Sequence, residues 1–416
     1  MAVTLIVGLL LAACVPAATP TAVPPAKPPE ATKPAAKPAD TTKPSEPAKP
    51  ADSAKPADAA KPADAPAPAK VFLPVKKIEL KPGEKVKVGF LYVGPRDDYG
   101  YNFAADQGRL AMEKKLPFVE TVFAENVPEN AEAERVMEQM IRGGAKIIFP
   151  TSYGHFDPAV RIAEKYPDVT FLHQGGPKAT QNVGSYFGDI YEPVYAAGVA
   201  AGKTTKSNKL GYIVAHPIPQ TLLNVSAFQL GARSVNPAAT TTVVFTADWC
   251  NPAKNTEAAN SLISQGIDVL TQHQDCPGPV IQAAERGGAW SVGYHADARP
   301  IAKTKWVTAA IWTWGDTYAK LVQEVVDGKY QSTVARTGPR DGIVALAPFG
   351  DNVSEDAKKA STEAMDKIMK NNFNVFTGPI KDQAGVIKIA DGKKPTTAEL
   401  EATAFLVEGV IGTLPK

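Results

Sequence analysis

Side chains able to grip a small, flat, polar molecule recur in short clusters along this chain. They occur at Asp97-Asp98-Tyr99-Gly100-Tyr101, Tyr153-Gly154-His155, Trp249-Cys250, His273-Gln274-Asp275-Cys276, His295-Ala296-Asp297 and Trp312-Thr313-Trp314. Aromatic rings offer stacking faces, and carboxylates, imidazoles and amides can read a hydrogen-bonding edge. Covalent chemistry is poorly provided for. Gly198-Val199-Ala200-Ala201-Gly202-Lys203-Thr204 has one residue too few between its glycines for a phosphate loop and lies in an Ala-rich helical run, so Gly202 reads as a helix C-cap. Gly184-Ser185-Tyr186-Phe187-Gly188 lacks the residue that separates Gly from Ser in a nucleophile elbow. There is no His-Glu-x-x-His, and no two histidines have helix-facing spacing. No catalytic residue, metal or cofactor is therefore expected.

The elements that must position these clusters alternate. β-like runs occur at 85–93 (KVKVGFLYV), 119–125 (VETVFAE), 146–150 (KIIFP), 169–173 (VTFLH) and 183–188 (VGSYFG). They restart at 209–215 (KLGYIVA), 241–247 (TTVVFTA), 267–273 (IDVLTQH) and 290–295 (WSVGYH), with helical stretches between most of them. Two series of strand–helix units predict two parallel sheets covered by helices. The rhythm then breaks at 307–312 (VTAAIW), a helix, 342–348 (GIVALAP), another helix and a hairpin at 378–389, as for a chain crossing back between lobes. Loops at the C-terminal ends of parallel strands form the ligand crevice. All five histidines, 155, 173, 216, 273 and 295, fall there with the aromatic and acidic clusters. Each residue has an ordinary structural reading, and one of Trp312 and Trp314 can equally be core of a crossover strand, where alternate positions share a face. Together they predict an aromatic-lined polar cleft.

Cys14 closes Leu11-Ala12-Ala13-Cys14 after an apolar run, the pattern of a lipoprotein signal segment (1–14) whose cysteine carries the lipid. Residues 15–70 repeat Ala-Lys-Pro-Ala-Asp at 36–40, 48–52, 54–58 and 60–64. Dense proline with no apolar face predicts a disordered, semi-rigid spacer. The chain has 416 residues and a net charge of +2, with its basic residues scattered, so nucleic acid is not an implied partner. Cys250 and Cys276 each follow the strand of consecutive strand–helix units, whose strands should be neighbours, and are expected to bridge outside the cytoplasm, two free thiols being the alternative.

Segments QGRLAMEK (107–114), ENVPENAEAERV (125–136), YFGDIYE (186–192), GARSVNP (231–237), IWTWGDTY (311–318), LAPFG (346–350), FTGPIKDQ (376–383) and VEGVIGTLPK (407–416) resemble the basic membrane protein family of ABC-transporter solute-binding lipoproteins. The resemblance implies a type I periplasmic-binding-protein fold, α/β, with two parallel-sheet lobes joined by three crossovers. Lobe 1 is expected from 71–203 and 306–335, and lobe 2 from 204–305 and 336–416. It further implies a lipid-anchored, extracytoplasmic, monomeric binding protein, not an enzyme, that takes a nucleoside or nucleobase, purine favoured, to an ABC permease. A surface adhesin or sensory receptor of the same fold is the alternative. The candidate ligand-binding residues are Asp98, Tyr101, Tyr153, Phe187, Trp249, His273, Asp275, Asp297, Trp312 and Trp314, with Tyr101 and Trp314 expected to face each other and Trp312 as the other possible wall. Two departures bear on the ligand. Relatives often carry Asp-Gly-Gly-Trp where this chain has Asp98-Tyr99-Gly100-Tyr101, and Gly-Tyr-Asn-Ser-Asp where it has Gly293-Tyr294-His295-Ala296-Asp297.

Overall fold

The computed structural model describes residues 72–415; Cys14 and the 15–70 tract lie outside the described residues. The chain runs β1 (Val86–Leu91), α1 (Tyr101–Lys115), β2 (Val119–Ala124), α2 (Ala131–Arg142), β3 (Ala145–Pro150), α3 (Phe156–Lys165), β4 (Thr170–Gln174), β5 (Val183–Gly188) and α4 (Tyr191–Thr204). It continues through β6 (Lys209–Val214), α5 (Pro219–Val235), β7 (Thr240–Phe245), α6 (Pro252–Ser264), β8 (Val269–His273), α7 (Gly278–Gly287), β9 (Trp290–His295), β10 (Trp306–Trp312) and α8 (Trp314–Val326). Last come β11 (Val334–Thr337), β12 (Val344–Leu346), α9 (Glu355–Met369), the hairpin β13 (Ile380–Lys381) and β14 (Ile387–Ile389), α10 (Thr397–Glu401) and β15 (Val410–Ile411).

One lobe is a six-stranded sheet in the order β11-β5-β4-β3-β1-β2, and the other a seven-stranded sheet in the order β12-β10-β9-β8-β6-β7-β15. Within these two sheets every pairing is parallel except β10 with β12. Helices cover both faces, which is why β4 and β8 are buried at every residue and read as continuous rather than alternating strands. At the heart of the first lobe Phe90 stacks on Phe149, with centroids 4.6 Å apart, and Tyr318 of α8 leans on both.

Two lobe assignments differ from the sequence expectation. β10 belongs to the second sheet, between β9 and β12, although 306–312 was expected in the first lobe. Helix α4 likewise packs in the second lobe, on α5 and α9. Its glycines decide this. A Cβ on Gly198 would lie 2.2 Å from the Phe228 carbonyl oxygen, and one on Gly202 2.5 Å from that of Ala232, so the two backbones meet directly. Gly202 is therefore a packing residue inside α4, not its C-cap; the helix ends at Thr204, with Thr205 as its cap.

The chain passes between the lobes three times: from β5 into α4, from β10 into α8, and from β11 to β12. These passages touch. Gly188 has no side chain because Trp312 and Val344 close in on it, with a Cβ there 2.8 Å from each. The Asp189 amide donates to the Thr337 carbonyl and the Thr313 amide to that of Ile343. A narrow, hydrogen-bonded waist of this kind lets two lobes hinge.

Candidate functional site

The strand-end loops of the two lobes meet at the first turn of α1. The Tyr101 amide donates to the Asp275 carbonyl across the lobes, 3.1 Å, and Gly100 permits the approach, since a Cβ there would lie 1.7 Å from that oxygen. Tyr101 anchors its hydroxyl by donating to the Thr151 carbonyl, 2.6 Å, and sets its ring edge-on to His295, 5.3 Å. Three non-glycine residues of these loops, Tyr99, Ala247 and His295, have positive φ values of 58°, 55° and 78°. Such backbone is costly and concentrates where a loop is held for a purpose.

From His295 a continuous run of rings crosses the waist. Trp312 donates its indole N–H to His295 Nδ1, 2.9 Å, and stacks on Trp314 at 4.6 Å and 14°. Phe187 lies 4.9 Å from Trp312. Trp314 in turn stacks on Tyr318 and meets Tyr186 edge-on. Both tyrosine hydroxyls donate to Gln174 Oε1, at 3.3 and 3.1 Å. On the other side His295 abuts Tyr294 and His273, and Trp249 caps His273 and His216. Asn224 donates to His273 Nδ1 and to the Tyr294 hydroxyl.

Burial keeps His273 and His295 neutral. His273 is held down to about 3, and His295 well below the ordinary histidine range, by desolvation first and by His273 second. With Trp312 donating to its Nδ1, neutral His295 carries its proton on Nε2. That N–H, the Trp314 indole N–H and the Gln174 amide nitrogen are buried and have no hydrogen-bond partner within the protein. Three donors without acceptors beside stacked rings suit a flat ligand with acceptor atoms on its edge. The loops add carboxyls. Asp98 accepts from the Gly100 amide and is pushed up to about 6, chiefly by burial. Asp275 is pushed up to about 8, by burial and then by the charges of Asp98 and Glu129. At neutral pH the Asp275 carboxyl can therefore donate as well as accept.

The structure thus brings together Tyr101, Phe187, Trp249, His273, Trp312 and Trp314, with Asp98 and Asp275 on the loops around them. It does not set Trp314 opposite Tyr101: Trp314 is only 1% exposed and packs on Trp312, Tyr318 and Tyr186, while Tyr101 meets His295. Two candidates stand apart. Tyr153 is 70% exposed, because the 3-10 turn it begins points Ser152 and His155 inward and leaves Tyr153 outward. Asp297 spends its carboxylate on Arg299, 2.6 Å away on the same turn. Neither His295 nor Gln174 is among the ten sequence candidates, although His295 opens a strand-end cluster and departs from the relatives' Asn. Cys250 and Cys276 form a disulfide, with Cα atoms 5.2 Å apart. Among the described residues no three His, Cys, Asp or Glu side chains gather as metal ligands.

Two parallel-sheet lobes hinged at a triple waist, with convergent rings and polar groups between them, define a type I periplasmic binding protein. The fold is shared with an ABC transporter solute-binding protein of Conexibacter woesei, 20% identical, with a TM-score of 0.60 over 70% of this chain and 98% of that one. The chain belongs to the Bmp family of PnrA-like ABC transporter substrate-binding proteins, which matches residues 85–375. A purine-binding protein of Brucella abortus is 39% identical over 80% of this chain and 95% of its own length. A Haloferax volcanii protein, named for glucose binding in an ABC transporter, is 35% identical over 80% of this chain and 82% of its own. The protein is the substrate-binding component of an ABC transporter.

Proposed function

We propose that the cleft captures a nucleobase or nucleoside, a purine foremost, and that the protein, tethered by a lipid on Cys14, hands it to the permease of an importer without altering it. The observation that carries this reading is the set of buried donors on His295, Trp314 and Gln174 lying among stacked rings. A purine presents unprotonated ring nitrogens on its edge and two apolar faces, which such a site complements. The purine-binding relative from Brucella abortus supports the same ligand class. Lobe closure excludes water, and the permease reopens the cleft by favouring the open state.

Calorimetric titration with adenine, guanine, hypoxanthine, adenosine, guanosine, uridine and glucose tests the ligand. Saturable binding of a purine, with weaker or absent binding of uridine and glucose, is expected. Preference for glucose would overturn the purine assignment. Metabolic labelling with a radioactive fatty acid tests the anchor: the label is expected on the intact protein and lost in Cys14→Ala, and equal labelling of that variant would refute it.

A further inference from the structure

We propose that the Cys250–Cys276 disulfide, with the buried amide of Gln274, is a positioning clamp for the cleft and acts on ligand affinity beyond any effect on folding. Its purpose as a clamp on ligand rests on the binding reading above. The two cysteines join the loop between β7 and α6 to the loop between β8 and α7, each directly after a residue of the site. Trp249, which caps His273, precedes Cys250, and Asp275, whose carbonyl receives the Tyr101 amide from the other lobe, precedes Cys276.

The tie is made at the loop tips. The segment between the cysteines, α6 and β8, is already anchored by a buried cluster including Ala259, Leu262, Ile267 and Leu270, so the bridge is not needed to hold it to the sheet. The Trp249 loop has no such apolar anchor. It hangs on polar ties: the Asp275 amide donates to the Trp249 carbonyl, 2.7 Å, and Gln274, fully buried, satisfies all its neighbours when its amide is assigned with the nitrogen toward the carbonyls of Trp249 and Asp248, at 2.9 and 2.8 Å. The same amide's oxygen accepts from Thr246 Oγ1 and from the Ala215 amide. Ala247 in this loop has φ of 55°, a conformation an alanine adopts only when its surroundings impose it. The Thr246 and Ala247 amides, donating to the Val214 and Ala215 carbonyls at 2.8 and 2.9 Å, hold the start of the loop to β6, and bridge and glutamine hold its tip. Cut from them, the loop would relax, the Trp249 ring would leave His273, and the carbonyl that receives Tyr101 would no longer be held in register for closure.

The test compares wild type, Cys250→Ser/Cys276→Ser and Gln274→Leu by residue-resolved amide exchange and by calorimetric titration with adenine and adenosine. The Asp275 amide, bonded within its own lobe, reports the clamp with no ligand present. It should exchange at least about tenfold faster in both variants, while the β8 amides of Leu270 and Thr271 change by less than about twofold. Affinity for whichever purine binds wild type should fall about tenfold. Unchanged exchange at Asp275, or a uniform acceleration along β8, would overturn the clamp and leave the bridge a fold staple only. If neither purine binds wild type, the ligand reading falls while exchange still judges the clamp. Should the double variant not fold, wild type incubated with dithiothreitol replaces it: the bridge becomes two thiols as the reagent closes to its cyclic disulfide. Cys250 is exposed enough to be attacked.

Discussion

The indole N–H of Trp312 donates to Nδ1 of His295 at 2.9 Å, joining the end of β10 to the end of β9 where the chain leaves one lobe for the other. This single bond sets which imidazole nitrogen faces away as a donor. It also locks the residue at which the chain departs from its relatives' asparagine, so a protonated Nε2 stands where an asparagine would offer an amide.

Replacing Trp312 by Phe keeps the ring stacked on Trp314 and removes the donor. Freed of its partner, His295 can take either tautomer. We expect purine affinity to fall about three- to tenfold with little change in melting temperature. Titration of the variant checks this, and unchanged affinity would mean that the His295 tautomer does not matter to the ligand.

Stability should decline as pH rises from about 6.5 to about 8. Asp275 and Glu192 are pushed up from ordinary carboxyl values to about 8 and about 7, mainly by burial, so the folded chain holds protons the unfolded chain has lost. Their contribution is complete below the unfolded value of 3.8 for Asp275 and 4.5 for Glu192, and vanishes as pH passes the folded values. The buried imidazoles work in the other direction. His273, held at about 3, costs stability as pH falls below 6.5 toward 3. Above 6.5 only the carboxyls remain in play. Thermal melts at successive pH values should show the decline, and Asp275→Asn should flatten it; a slope unchanged by that variant would exclude Asp275 as its source.

Trp314→Ala and Tyr101→Ala should fail differently. Trp314 is 1% exposed amid Trp312, Tyr186 and Tyr318, so its truncation should cost roughly 3–5 kcal/mol of stability. Tyr101 lies on the seam between lobes, and its loss should weaken ligand about tenfold to a hundredfold at modest cost to the fold. Tyr153→Ala, on the exposed turn, should change affinity by less than about twofold. Parallel denaturant and binding titrations separate the three. A Tyr153 variant as impaired as Tyr101→Ala would show that the turn folds over the ligand.

Gly198→Ala should destabilise the second lobe by about 1–3 kcal/mol, although alanine is the better helix former. The added methyl would lie 2.2 Å from the Phe228 carbonyl and force α4 and α5 apart. A neutral or stabilising result in urea denaturation would contradict so close a backbone contact.

The order of most strands and helices was readable because it depends on local pattern; of the five histidines, His216, His273 and His295 join the site, whereas His155 bonds to the Val127 carbonyl and His173 packs on Phe156, both buried within the first lobe. A buried parallel strand is a short apolar run, and the residue after it lands in the crevice whatever the rest of the chain does. The Cys250–Cys276 bridge forms as expected but not between neighbouring strands: β6 lies between β7 and β8, and their loops, at the same end of the sheet, meet across it. Lobe membership was not readable. Helix α4 and strand β10 look like continuations of what precedes or follows them, and only the packing of Gly198 and Gly202 on α5, and the pairing of β10 between β9 and β12, assigns both to the second lobe. Strand β11, four residues pairing with distant β5, carries no local signal at all. Within the site, residue type foretold that rings and carboxyls would gather but not which would meet. Tyr153 and Asp297 have the right chemistry and the right position in sequence. One turn's direction leaves the Tyr153 ring outward and a neighbouring arginine engages Asp297, whereas His295 joins the rings through a bond to a tryptophan 17 residues away. Periodicity records which face of an element is buried; the partners across that face come from parts of the chain far apart in sequence, and only their packing selects them.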